Sequence, residues 1–313
     1  MLLMIKLTID SKVITVAKYL SETLMAPGER QQILNTAFQE AKKLRSSVWT
    51  EITMMLIVIG ANISLVKGGV YSGLESGTGS WMASTEEGTQ TLSFAGDWAL
   101  FISIPLFQFL LLRWLWRYFA WVLLLFRLSK ARLNLLPYHA DRSGGLGIII
   151  LAQRNFNLIF VAYSIVLSGE LIAQLTKDPD AFNSIRSVVI GFIVICLIVV
   201  LFPLLFFTGK LLKTKQHGLL DLSNLSVDLS RRFEKEWIND LPIERRIAEK
   251  QVDPSMVFDY SGIYESVQKL RIIPVTLRDI IGMGITLFVP FIPLLFIHFS
   301  ITELLKKIAG MLV

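Results

Sequence analysis

The chain has 313 residues, 53% of them apolar, and its 31 Lys and Arg against 25 Asp and Glu leave a formal charge of +6. A mean hydropathy of +0.57 excludes an ordinary soluble domain, and so small a basic surplus reads as topology and lipid headgroups before a nucleic-acid surface. The single cysteine, Cys196, lies in an apolar run, which excludes a disulfide framework and a thiol metal site.

Five apolar stretches organise the chain: Trp49–Val66, Trp98–Trp116, Phe156–Leu175, Val188–Thr208 and Ile280–Phe299. A hydrocarbon core of ~30 Å takes about 20 residues of helix. In lipid each backbone group must find its partner within the segment, so these runs are predicted to be helices. The expected fold is all-α: a polytopic membrane protein with four spanning helices, a proline-broken terminal one and a helical cytosolic region. The expected divisions are a cytosolic segment 1–47, spans one to four in 48–209 with a cytosolic loop 127–147, a cytosolic helical domain 210–273, and a terminal unit 274–313.

The first residues lack the pattern of a cleaved leader, because Lys6, Asp10 and Lys12 interrupt them early. In 30–48, Ile33, Leu34, Ala37, Phe38, Ala41 and Leu44 recur at helical spacing, which predicts an amphipathic helix entering span one. The next loop, 67–97, carries Lys67 against Glu75, Glu86, Glu87 and Asp97 and so reads as external, and its stretch from Gly-Val-Tyr-Ser-Gly to Gly-Thr-Gly-Ser, 69–80, reads as flexible. Bases return at Arg127, Lys130, Arg132 and Arg142 and again at Lys210, Lys213 and Lys215. This alternation puts the N-terminus in the cytosol and the C-terminus outside. Lys306 and Lys307 oppose the last step, and a re-entrant hairpin at Pro290 and Pro293 is the alternative for span five.

Span two does not stop at membrane thickness. Its apolar run continues to Phe126, ~43 Å of helix, with Arg113 and Arg117 one turn apart among Trp114, Trp116, Tyr118 and Trp121. Those residues form either a headgroup belt with snorkelling arginines or a charged pair lining a path. In span three Arg154 lies near the cytosolic start and Glu170 toward the outer end, ~24 Å apart along the helix, so they cannot pair with each other. An embedded Glu170 requires another span, another subunit or water. It is the leading pathway candidate, against placement at the outer interface.

The most specific string is Leu136-Pro137-Tyr138-His139-Ala140-Asp141-Arg142-Ser143-Gly144-Gly145-Leu146-Gly147. Pro137 is expected to close the preceding helix, with Asp141 and Ser143 bonding nearby backbone and the glycines admitting positive φ. One reading is a tight turn fixing the angle between two helices. The other is a gating or ligand turn, in which His139, Asp141 and Arg142 cluster and amides after Gly144, around Gly145 and Gly147, receive an anion. No Lys-Ser or Lys-Thr follows, so it is not a nucleotide phosphate loop. His217 and His298 are too distant to build a metal site with His139.

Downstream, Leu222, Leu225, Leu229, Phe233 and Trp237 form a stripe that suits packing within a cytosolic domain or a seam between subunits. Pro203 in span four and Pro290 and Pro293 in span five predict kinks. Gly191, Gly282 and Gly284 offer close helix contacts. Ser300-Ile-Thr-Glu303 reads as a capping box before an amphipathic end.

The string Leu-Pro-x-His-x-Asp-Arg-x-Gly-Gly-Leu-Gly at 136–147, with Ile-Pro-Val-x-x-Arg-Asp and the late Pro-x-x-Pro-Leu-Leu, resembles a group of bacterial inner-membrane proteins over about residues 98–313. Ala140 stands where that group is expected to carry proline. The resemblance implies a bacterial inner-membrane location and this domain order, and it brings no substrate.

Neither a His-Glu-x-x-His nor a Gly-x-Ser-x-Gly string is present, and no enzyme or cofactor is expected. Five spans do not divide into inverted repeats. The leading expectation is a homo-oligomeric channel or pore gated through its cytosolic region, with Arg113, Arg117, Arg154 and Glu170 shaping the path and Pro203, Pro290 and Pro293 the gate. Its partners would be the lipid bilayer, further copies, and an anionic ligand such as a nucleotide, an oligonucleotide or an anionic lipid. The alternative is a non-conducting anchor, sensor or scaffold subunit for a soluble protein partner.

Overall fold

The computed structural model describes residues 12–24, 43, 47–67, 83–86, 89–238 and 254–298. The expected helix at 30–48, the glycine-rich part of the loop at 68–82, and the capping box at Ser300 lie almost wholly outside these. Among the described residues the chain is helical, and five helices are long and apolar enough to cross a bilayer. It is a polytopic all-α membrane protein with one short hairpin. Within each spanning window only 17–33% of residues are buried by the protein itself, which leaves the apolar remainder to lipid.

Two units partition the chain, one of residues 35–124 and one of residues 1–34 with 125–313. In the first, helix α2 (Val48–Lys67) buries Met54, Val58 and Asn62. These recur every four residues and so make one narrow stripe. Strands β1 (Ala83–Glu86) and β2 (Thr89–Leu92) pair antiparallel, Ala83 opposite Leu92 and Glu86 opposite Thr89. They follow the stretch 69–80 expected to be flexible; the Ser-Thr-Glu and Thr-Gln-Thr runs carry β-branched threonine, which suits short strands.

Helix α3 runs from Phe94 to Lys130, and the boundary between units falls within it. The Ser93 hydroxyl caps it by accepting from the Gly96 amide at 3.1 Å. A π-turn at Ala99–Ser103 precedes Pro105, whose ring nitrogen has no hydrogen to close the regular ladder. At 37 residues the helix is about 55 Å long, so it outlasts the bilayer core, as the sequence predicts. It ends at Lys130, not at Pro137.

In the second unit, α1 (residues 12–24) buries Val16, Ala17, Leu20 and Leu24. These positions recur at helical spacing in the sequence itself. Helix α4 (Ile149–Lys177) follows a 3-10 turn at Leu146–Ile148. A second 3-10 turn, Pro179–Ala181, reverses the chain into α5 (Phe182–Leu201), with the Asp178 carboxylate accepting from the Asp180 amide at 3.0 Å. After 3-10 residues Phe202–Phe207, which contain Pro203, α6 continues as Thr208–Phe233. Helix α7 (Pro254–Gln268) packs on α6. Helix α8 (Leu277–Phe288), a 3-10 turn at Val289–Phe291 and α9 (Ile292–His298) form the terminal span.

That span does not turn back at its prolines. Asp279 meets Arg154, Met283 meets Asn157 and Pro290 meets Ser168. Further along, Phe291 and Leu294 pack in one cluster with Leu171 and Leu175. Contacts that advance together along both helices mean that α8–α9 runs parallel to α4 over its length, which overturns the re-entrant alternative. The proline break is a tightened turn within a continuing helix. Of the three glycines expected at helix contacts, only Gly284 has a neighbour, Leu197, within 4 Å of where a Cβ would stand.

Candidate functional site

The turn at 136–147 is built around the Asp141 carboxylate. It accepts from the amides of Ser143 at 2.8 Å, Gly145 at 3.1 Å and Gly147 at 2.8 Å. Three residues adopt positive φ to aim those amides inward: Arg142 at 52°, Gly144 at 65° and Gly145 at 93°. A Cβ on Gly147 would stand 2.9 Å from the carboxylate, and one on Gly145 would stand 2.9 Å from Leu24. The amides expected to receive an external anion therefore already donate to the chain's own, and the anion-cradle expectation is corrected. Burial raises the Asp141 pKa, but the three amides and His139 outweigh it, and the carboxyl lies below its ordinary 3.8.

His139 joins this cluster. Its Nδ1 lies 2.8 Å from the Asp141 carboxylate, and its Nε2 lies 3.5 Å from the Tyr19 hydroxyl on α1. The Asn134 amide donates to the Leu24 carbonyl at 2.7 Å, fastening the same helix. Arg142 turns out to matter through its backbone: its carbonyl accepts from the Arg271 amide at 2.8 Å. The Arg271 guanidinium also donates to the Asp141 carbonyl at 2.5 Å.

The linker between α7 and α8 is thus clasped to the turn by one residue that the sequence did not single out. Lys215 on α6 donates to the Leu270 carbonyl at 3.2 Å, and Lys210 reaches the Ala131 carbonyl. Pro137 fits against Gly218, where a Cβ would meet its ring at 2.7 Å. Tyr260 of α7 bonds the Leu222 carbonyl of α6. In this way α1, α6, the segment just after α7 and the start of α4 converge on these twelve residues. Leu222 is the buried member of the α6 stripe, whereas Leu225 is exposed.

The polar residues of the spans act as fasteners. Arg113 pairs with Glu51 of α2 at 2.6 Å, and Arg117 lies over the Trp114 ring at 4.8 Å. Asn62 donates to Gln108 at 2.6 Å, also between α2 and α3. Arg154 pairs with Asp279, whose carboxylate completes a capping box with Thr276 at the start of α8. Gln153 donates to the Val200 carbonyl beside the Pro203 break, and Ser168 donates to the Pro290 carbonyl at 2.6 Å. Asn157 reaches Thr286 at 2.8 Å and the Met283 carbonyl at 3.2 Å. Helix α4 is therefore a polar splint laid across two proline breaks. It supplies donors where 3-10 geometry and missing N–H groups disturb the ladder. Pro293 is exposed.

Glu170 stands apart. It faces out of its own unit and makes no hydrogen bond or ion pair with another described residue. A groove of about 420 Å³ beside Tyr138 is lined by Phe258, Asp259, Gly262, Ile263 and Ser266. Its one charged lining residue is an acid, the wrong sign for a nucleotide. No cluster of metal-ligating side chains occurs among the described residues. Compared with known proteins, the chain matches no family model, no curated protein and no solved structure.

Proposed function

We propose that this chain is a membrane-embedded transducer: a subunit whose cytosolic helix pair, α6 and α7, is mechanically coupled to its proline-broken spans. The observation that carries this is the clasp of Arg271 on the turn at 136–147. One residue just past α7 is tied, through backbone and side chain, to the loop from which α4 begins, and Arg154 of α4 in turn pairs with Asp279 at the start of α8. A displacement of α7 is then delivered to the helix that splints both breaks. The basic loops support a cytosolic N-terminus and a bacterial inner-membrane location, with a soluble partner acting on α7. Arg113, Gln153, Arg154, Asn157 and Ser168 support this reading over a path through one copy, because each bonds to a neighbouring helix.

The test is amide hydrogen exchange in mild detergent with Arg271→Ala. Faster exchange across 136–147 and the first turns of α4 and α8 is expected. Change confined to 269–273 overturns the coupling. Recording from planar bilayers addresses conduction: a silent protein supports the transducer, and discrete current steps overturn it.

One observation favours a second reading, a homo-oligomeric pore gated by the same coupling: Glu170 points away from its own unit, as a residue lining a path between copies would.

A further inference from the structure

Glu170 has a counterpart of opposite sign. Arg186 on α5 is also exposed and likewise makes no ion pair or hydrogen bond with another described residue. The two helices are antiparallel neighbours joined by the turn at Asp178–Ala181. Glu170 lies seven residues before Lys177, where α4 ends, about 10 Å of helix. Arg186 lies four residues after Phe182, where α5 begins, about 6 Å. The acid and the base therefore stand within about 5 Å of the same depth, on the same end of the unit, each turned away from it.

A charge facing lipid is costly unless it reaches headgroups, water or an opposite charge. Arg186 is long enough to snorkel, but the short Glu170 side chain is not. The surface around them is shallow and apolar. A Cβ on Gly169 would meet nothing within 4 Å, and Ile165, Val166, Val188 and Ile190 are exposed. Small and apolar residues next to a polar one are what membrane helices bury against each other.

We propose that a second copy of this chain docks on the outer face of α4 and α5, with Glu170 of each copy paired with Arg186 of its neighbour. The occupant follows from charge complementarity: this chain itself carries the missing partner at the matching depth. The inference rests on the membrane placement of α4 and α5 and not on whether the assembly conducts.

Charge reversal tests it, read as mass in mild detergent. Wild type is expected to form a closed assembly. Glu170→Arg and Arg186→Glu are each expected to associate about tenfold more weakly. Mixing the two variants is expected to restore association, because a copy of one then meets a copy of the other through one native contact and one contact with the charges exchanged. Both side chains are exposed, and an unchanged unfolding midpoint confirms that each variant folds. A monomeric wild type, an assembly indifferent to both reversals, or variants that do not rescue each other overturns the proposal. Bilayer recordings of the same samples report separately on the transducer, so the two readings fail independently.

Discussion

Arg154 and Asp279, 125 residues apart in the chain, form an ion pair that joins the first turns of α4 to the first turn of α8. The pair is asymmetric. The Asp279 side chain is 6% exposed and the Arg154 side chain 51%. Asp279 also serves Thr276, accepting from its amide at 3.0 Å and its hydroxyl at 2.6 Å while the Thr276 hydroxyl accepts from the Asp279 amide at 3.1 Å. The carboxylate is at once half of an ion pair and half of a helix cap.

The asymmetry predicts unequal losses. Asp279→Ala removes the cap and the pair together and is expected to cost about 2–4 kcal/mol. Arg154→Met removes a half-exposed partner and leaves the carboxylate its Thr276 bonds, for a cost of about 1 kcal/mol. Denaturation in mixed micelles measures both. Equal losses would mean that the cap contributes nothing.

Much of this architecture was legible because membrane thickness and hydrophobic length are tied by simple geometry. The overlong α3, the proline breaks in two spans and the turn at Asp141 all follow from local patterns. What could not be read is pairwise. Arg154 reads as a charge near a helix start and Asp279 as the end of the Ile-Pro-Val-x-x-Arg-Asp string, yet nothing in either run says that they meet. Gln153, Asn157 and Ser168 are unremarkable polar residues until Val200, Met283 and Pro290 present carbonyls to them. Arg271 was missed because its value lies in what its backbone touches. A further misleading inference is chemical: glycine amides at a helix start suggest a ligand, when a carboxylate four and six residues upstream of Gly145 and Gly147 is the anion.

The glycines of that turn are expected to rank by geometry. Gly145→Ala forces a side chain at a φ of 93° against Leu24 and is expected to cost about 2–3 kcal/mol. Gly147→Ala has ordinary φ but displaces the Asp141 carboxylate, for about 1–2 kcal/mol. Unfolding midpoints of the two variants check the order, and a reversed order would contradict the geometry described for Leu24.

Asp141 predicts a pH dependence with a definite sign. Its folded pKa lies below the ordinary 3.8 because the donors around it outweigh the opposing effect of burial. The unfolded chain therefore binds the proton more tightly, and stability rises with pH across this window. The contribution is full above about pH 5 and is lost as pH falls through the depressed folded value. Asp141→Asn is expected to be less stable at pH 7 and to show a smaller loss between pH 5 and pH 3. Midpoints of both proteins at three pH values test this, and parallel curves would remove Asp141 as the cause.

The Ser168 hydroxyl is the last fastener whose role can be isolated. It donates to the Pro290 carbonyl in a segment where 3-10 turns and two prolines disturb the regular ladder. Ser168→Ala deletes one oxygen and takes from that half-buried carbonyl its side-chain donor, for an expected cost of about 1 kcal/mol. In a chain carrying Pro293→Ala, an N–H returns at position 293, three residues beyond the Pro290 carbonyl and able to close a 3-10 bond onto it. The carbonyl then gains a partner in its own segment, and Ser168→Ala is expected to cost little. A double-mutant cycle on unfolding in mixed micelles reads the difference directly. Coupling of about 1 kcal/mol identifies α4 as a splint for the proline break, whereas additive losses would show that the hydroxyl and the break act separately.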